Sequence, residues 1–198
     1  MRISKEQVQR NHDLVVESAA ELFRERGFDG VSIADLMQSA GFTHGGFYNH
    51  FQSKEELAAK ATDFAFQERS ADLSQAADAS EVLRRYLTRT HSSAIGQGCP
   101  AAALGADAAR QPEDVKRAFA RGIEGMIRDF ERGLPASTPA GAAERRALAI
   151  NLVAKCVGAL MLSRSVPSTD KLAREMLTAT LAGALNDIRA ATDNEAEL

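Results

Sequence analysis

The sequence predicts an all-α fold. Apolar residues recur at three- and four-residue spacing along nearly the whole chain, and no convincing alternating strand appears. Glycine and proline punctuate these periodic runs, and Ser, Thr or Asp opens several of them. With 198 residues, 44% apolar and 26% charged, the chain fits one large globular domain or two small ones.

About nine helices are expected. The first runs from about Lys5 to Arg26, with Val8, Leu14 or Val15, Ala19, Leu22 and Phe23 inward, and stops at Gly27. Ser32 caps the second, since its hydroxyl can accept from first-turn amides, and Asp35 places negative charge near the positive helix end. Ile33, Leu36, Met37 and Ala40 form its apolar face, and Gly41 closes it. Thr43 caps a third helix to about His50, with Phe47 and Phe51 four apart in the core. Ser53 opens a long fourth helix, Lys54 to about Asp72, and Glu56 completes a Ser-x-x-Glu capping box.

After a polar, alanine-rich link, Asp78 and Ser80 cap a helix through about Ala94. Gly96 and Gly98 break it, and a short helix follows from Pro100 to about Arg110. Pro112 suits the first position of the next, with Glu113 and Asp114 in its acidic first turn. That helix carries Val115, Phe119, Ile123, Met126, Ile127 and Phe130 and ends at Gly133, before a loop from Pro135 to Gly141. The last two helices, Ala143 to Arg164 and Lys171 to Ala190, look too apolar to serve one side only. Gly158, Ala159, Ala182, Gly183 and Ala184 permit close helix approach there, and an acidic tail follows from Asp193 to Leu198.

Ser32 to Leu57 is the most informative stretch. Gly45 and Gly46 each cost roughly 1 kcal/mol inside a helix, a loss easier to understand if another backbone must come close. A segment of about eight residues at ~1.5 Å each spans ~12 Å, comparable to the ~12 Å DNA major groove.

Over roughly residues 10–60 the chain resembles the helix-turn-helix domain of the TetR family of transcriptional regulators. The resemblance rests on Ala20, Phe23, Gly27-Phe28, Ser32-Ile33, Ala40-Gly41, Gly46-Phe47-Tyr48, His50-Phe51 and Ser53-Lys54-Glu55-Glu56-Leu57. It implies a three-helix DNA-binding domain over residues 1–60 and a helical ligand-binding and dimerisation domain over 61–198. Carried over, Ser32, Thr43, Tyr48, His50 and Lys54 contact phosphates, while His44, Gly45, Gly46 and Asn49 face base edges. Arg2, Lys5 and Arg10 form either an arm on DNA or a free tail.

The resemblance further implies a homodimer through the last two helices, at Leu152, Cys156, Leu160, Met176, Leu181 and Leu185. Such a dimer presents two reading helices to a near-palindromic operator; a purely intramolecular core is the other reading. It also implies a small-molecule pocket, with Phe64, Leu87, His91, Leu104, Phe119, Ile123 and Met161 as lining candidates or ordinary core. Cys99, in Gly98-Cys99-Pro100, stands at a helix start, where the dipole favours thiolate. The run GCPAAALGADAARQ resembles a motif before the sixth helix in a TetR subgroup, some members of which sense electrophiles through that cysteine. Where such sensors carry a partner lysine this chain has Met161, so Cys99 is either a sensor or a structural turn residue. Together these features suggest a repressor released from its operator by a small-molecule or electrophile inducer.

The competing reading is a helical dimeric interaction protein of the same fold that has lost specific DNA binding. Charge supports it: residues 1–60 hold seven Lys and Arg against nine Asp and Glu, and the chain carries −3. No basic patch announces a nucleic-acid binder, so DNA binding would lean on helix ends and hydrogen bonds. Glu17, Glu21 and Glu25, at four-residue steps, read as a solvated face. An enzyme is not expected, since no Gly-rich phosphate loop, HExxH or GxSxG occurs, and neither cofactor nor metal is implied. Two cysteines do not make a disulfide scaffold, and Cys156 reads as core. No apolar run approaching 18 residues and no signal-peptide core stand out, so a cytoplasmic location is expected.

Overall fold

A computed structural model describes residues 4–134 and 141–193. Among them are nine α-helices, one 3-10 helix and no strand. The helices are α1 (Lys5–Arg26), α2 (Ile33–Ser39), the 3-10 helix (His44–Asn49), α3 (Lys54–Leu73), α4 (Ala79–Tyr86), α5 (Arg89–Ser93), α6 (Pro100–Ala108), α7 (Glu113–Gly133), α8 (Ala142–Arg164) and α9 (Lys171–Asp193). Arg2, most of the 135–141 loop and the tail beyond residue 193 lie outside the described residues.

Two compact units divide the chain, and neither is contiguous. The first comprises Met1–Glu68 with Ile95–Gly122, and the second Arg69–Ala94 with Ile123–Leu198. In the first unit, α1 packs on α2 and α6, around fully enclosed Val15, Ala19, Leu36, Met37, Phe47 and Leu57. Phe28 stacks near Phe23 and meets Phe119 edge-on, and Phe66 does the same to Phe119 from α3. Gly122 lets α7 approach α3 closely, because a Cβ there would collide with the Phe66 ring. Val8, expected inward, is instead exposed, and of Leu14 or Val15 it is Val15 that is enclosed; the inward row of α1 runs through Val15, Val16, Ala19, Ala20 and Phe23.

Segment 95–122 belongs with α1 for specific reasons. Arg24 is only 5% exposed; its Nε donates to the Gly96 carbonyl and its terminal nitrogen reaches Glu68 at 3.4 Å. Arg121 holds Asp63 through two bonds, at 3.1 and 2.6 Å. Gly27 has φ +75°, and a side chain there would strike the Asp107 carboxylate.

In the second unit, α8 and α9 form the most extensive helix pair, with α4 against α9 and α5 against α8. The helix expected over 80–94 is broken at Leu87. Asp78 caps α4 and Thr88 caps α5, each accepting from the amide three residues on. The His91 Nδ1 donates to the Tyr86 carbonyl at 2.7 Å, supplying a partner to a carbonyl beside the break. Ile123, expected in the core, is exposed.

Leu152, Cys156 and Leu160, expected at a face between copies, are each 0% exposed in the single chain. They are core of their own unit and have no surface left to offer. Met176, Leu181 and Leu185 are half-buried. The exposed side of α8 carries Ile150, Ala154, Met161 and Leu162, and α9 exposes Leu172, Ala179 and Ala182. By length and composition alone α8 is long and apolar enough to cross a membrane, with a mean hydropathy of 1.5 over its most apolar window, a test that core helices also pass. Its composition reflects an inner stripe against its own unit plus the exposed apolar residues opposite.

Candidate nucleic-acid interface

The turn before the 3-10 helix is fixed by backbone bonds. Gly41 adopts φ +80°, its amide donates to the Gln38 carbonyl (3.0 Å), and the Phe42 amide donates to Met37 (2.8 Å). This is a glycine-dependent helix stop that satisfies the last carbonyls of α2. Thr43 then extends the chain (φ −86°, ψ 149°), and its carbonyl accepts from Gly46. The expected Thr43 hydroxyl cap is not made, which leaves that side chain exposed.

The expected eight-residue α-helix is a six-residue 3-10 helix ending at Asn49, with His50 as its cap. At ~2.0 Å per residue six residues also span ~12 Å, so the reach is kept with fewer residues. Phe47 nails this short element down. It is fully enclosed, 5.5 Å from Phe51, and takes the Tyr48 ring edge-on at 5.2 Å. His12 of α1 stacks on Phe51 at 4.8 Å, and His50 lies 6.2 Å from the same ring.

With Phe47 inward, the other side chains face out. Thr43, His44, Gly45 and Asn49 are exposed, Tyr48 is 66% exposed, and Gly46 and His50 are half-buried. Gly46 touches the side-chain tip of Met37, where a Cβ would sit at 3.4 Å. Lys54, half-buried, is the first residue of α3. Its helix start is a shifted capping box: the Ser53 hydroxyl accepts from the Glu56 amide (3.2 Å), but the Glu56 carboxylate accepts from Gln52, not Ser53 (2.7 Å).

Ser32 is more committed than the sequence suggests. Its hydroxyl accepts from the Asp35 amide (3.1 Å) and lies 2.5 Å from the Asp35 carboxylate, which also accepts from the Ser32 amide (2.9 Å). The Ser32 hydroxyl and then its amide hold the Asp35 carboxyl below the ordinary value. This capping box places a carboxylate where a phosphate was expected, which weakens Ser32 as a phosphate contact. Lys5 and Arg10, offered for an arm, lie within α1.

The expected ligand-lining residues divide between the units. Phe64, Cys99, Leu104 and Phe119 lie in the first, and Leu87, His91, Ile123 and Met161 in the second. Ile123 and Met161 are exposed, and the second unit's open groove of about 590 Å³ is lined by Ser70, Gly125, Arg128, Asp129, Glu131 and Arg132, none of them expected. Cys99 is the N-cap of α6, fully enclosed, within electrostatic range of the Arg24 guanidinium. Arg24 is the residue that the sequence reading missed. The available signal was its place on the inner row, four residues after Ala20 and eight after Val16. No cluster of metal-ligating side chains occurs among the described residues.

Comparisons with known proteins converge on this segment. Residues 15–61 match the family model described as bacterial regulatory proteins, tetR family. The HTH-type transcriptional repressor DhaR of Mycobacterium sp. strain GP1 is 26% identical over 145 residues, covering 71% of this chain and 73% of DhaR. A TetR transcriptional regulator structure from Chloroflexus aurantiacus J-10-FL is 28% identical, with a TM-score of 0.67 over 89% of this chain and 95% of that one. The fold also matches the reduced form of E. coli NemR, at 23% identity and TM-score 0.74, covering 89% of this chain and 96% of NemR. The matched residues are those that build α1, the glycine turn and the outward-facing 3-10 helix, and the chain is a DNA-binding transcriptional regulator of the TetR family.

Proposed function

We propose that this regulator is a repressor that grips a near-palindromic operator as a homodimer and is released by a small molecule. DhaR and NemR, both named as repressors, support the direction of control. The functional division is residues 1–60 for DNA reading and 61–198 for ligand binding and dimerisation. The outward row on a rigid aromatic base carries the reading. Phe47 and Phe51 lock the 3-10 helix, so His44, Gly45, Tyr48 and Asn49 are presented without freedom to turn inward. In this account Thr43, Tyr48, His50 and Lys54 meet phosphates, and His44 and Asn49 meet base edges. Family membership favours this over a helical protein that has lost DNA binding.

The second copy meets the exposed sides of α8 and α9, not the enclosed Leu152, Cys156 and Leu160. Gly158 and Gly183 have nothing of their own chain where a Cβ would stand, which leaves room for a neighbouring helix. The inducer binds among the helices of 61–198, with Leu104 and Phe119 of the first unit as enclosed apolar candidates, and must prefer the conformation that cannot bind DNA. Cys99 is enclosed, so we favour a non-covalent inducer. The protein works in the cytoplasm, where the DNA is.

The experiment is fluorescence polarisation on a duplex selected from random DNA by the wild-type protein. Tyr48→Ala and Lys54→Ala should each weaken binding about ten-fold, in line with the ~1–3 kcal/mol of a good polar DNA contact. Unchanged affinity in both variants, with intact helical content, would remove this face from the account.

A further inference from the structure

The 3-10 helix has little to hold it from within. It contains Gly45 and Gly46, Thr43 makes no side-chain cap, and six residues exceed the usual length of such a helix. Its conformation therefore depends on what its rings pack against.

Those rings form a line. Phe47 and Phe51, 0% and 2% exposed, lie 5.5 Å apart, and Phe47 meets the Tyr48 ring edge-on at 5.2 Å. At the other end the line runs into α1. His12 stacks on Phe51 at 4.8 Å, with the planes tilted by 31°, and its side chain is 23% exposed. It stands one turn before Val15 and Val16, and so continues the inward row of α1. Its Nδ1 lies 3.2 Å from the Asp13 carboxylate, which also accepts from Gln9 at 2.8 Å. The imidazole is thus held by its edge while its face covers Phe51. In a close-packed interior one ring shifts only if its neighbour does. Slack at Phe51 passes through Phe47 to Tyr48, the exposed end of the line.

We propose that His12 is a positioning residue for DNA binding: its ring, stacked on Phe51, fixes through Phe47 the direction in which Tyr48 meets DNA. This rests on the DNA-reading face proposed above. What matters is a flat ring at position 12, not a contact of the imidazole with DNA.

The test uses the full-length protein and the duplex enriched by the wild type from random DNA. His12→Ala should bind it about five-fold more weakly, the scale of one ring–ring contact. His12→Phe should bind within about two-fold of wild type. In a Tyr48→Ala background His12→Ala should cost nothing further, since residues acting through one another are not additive. Tyrosine emission gives a second readout: the chain has no Trp and two Tyr, of which Tyr86 is fully enclosed. Without DNA, emission anisotropy should fall in His12→Ala and not in His12→Phe. Should His12→Ala melt below the assay temperature, His12→Leu fills the space without a flat ring and should show the same losses. Wild-type affinity or anisotropy in the ringless variant overturns the proposal, as do additive losses with Tyr48→Ala or a His12→Phe as weak as His12→Ala. If Tyr48→Ala and Lys54→Ala weaken binding while the ringless variant does not, this inference alone falls. If both bind as wild type, the reading face falls and the role of His12 with it.

Discussion

His91 is held neutral by its surroundings. Burial, then the nearby Arg69 cation, push its pKa down from 6.5 to about 4; the Tyr86 carbonyl pulls the other way, and Arg164 lowers it further. The unfolded chain takes up this proton near its ordinary value, while the folded protein refuses it until about pH 4. Stability is therefore lost as pH falls through that window, by up to about 3 kcal/mol. The melting midpoint of wild type should fall more steeply between pH 7 and 4.5 than that of His91→Gln; parallel slopes would contradict the assignment. His91 also shows where single residues were illegible. It read as either a ligand contact or ordinary core, and nothing local announced that its ring would serve a carbonyl at a helix break. Arg24 was legible in principle, since it continues the inner row of α1, but a guanidinium is expected outside unless a partner is known. Its partners, Gly96 and Glu68, lie 72 and 44 residues away.

Helices with local stop and start signals were readable to within a residue or two. The bounds of α1 are those expected, α7 ends at Gly133, and α8 and α9 start within a residue of their expected positions. Caps and glycine stops act over three or four residues, so sequence carries them. Two elements differed because their cause is tertiary. The reading helix is 3-10 and not α, and the expected 80–94 helix breaks so that α4 can pack on α9 and α5 on α8. Which side of α8 faces inward was equally unreadable, because both sides are apolar. Leu152, Cys156 and Leu160 were expected outside and are inside, while Ile150 and Met161 remain outside at 44% and 45% exposure. If these exposed residues carry the dimer, Ile150→Glu with Met161→Glu should halve the sedimenting mass and leave helical content unchanged. A variant that stays dimeric would place the second copy elsewhere.

At the scale of the molecule, the compact unit that holds the proposed reading segment is Met1–Glu68 joined to Ile95–Gly122. The residues of the proposed DNA-reading face are neighbours in sequence, from Thr43 to Lys54. The ligand candidates come from distant segments and fall in both units. On the proposed function, an acidic domain reads DNA by fit and hydrogen bonding, with little help from bulk charge. Salt dependence tests it directly, since each phosphate neutralised by Lys or Arg contributes about −0.9 to the slope of log affinity against log salt. Binding to the selected duplex should be strongly sequence-preferring, with a slope corresponding to only about one phosphate per protomer, the one met by Lys54. A steep slope shared by selected and shuffled duplexes would contradict the account, because it would mean that charge alone holds the DNA.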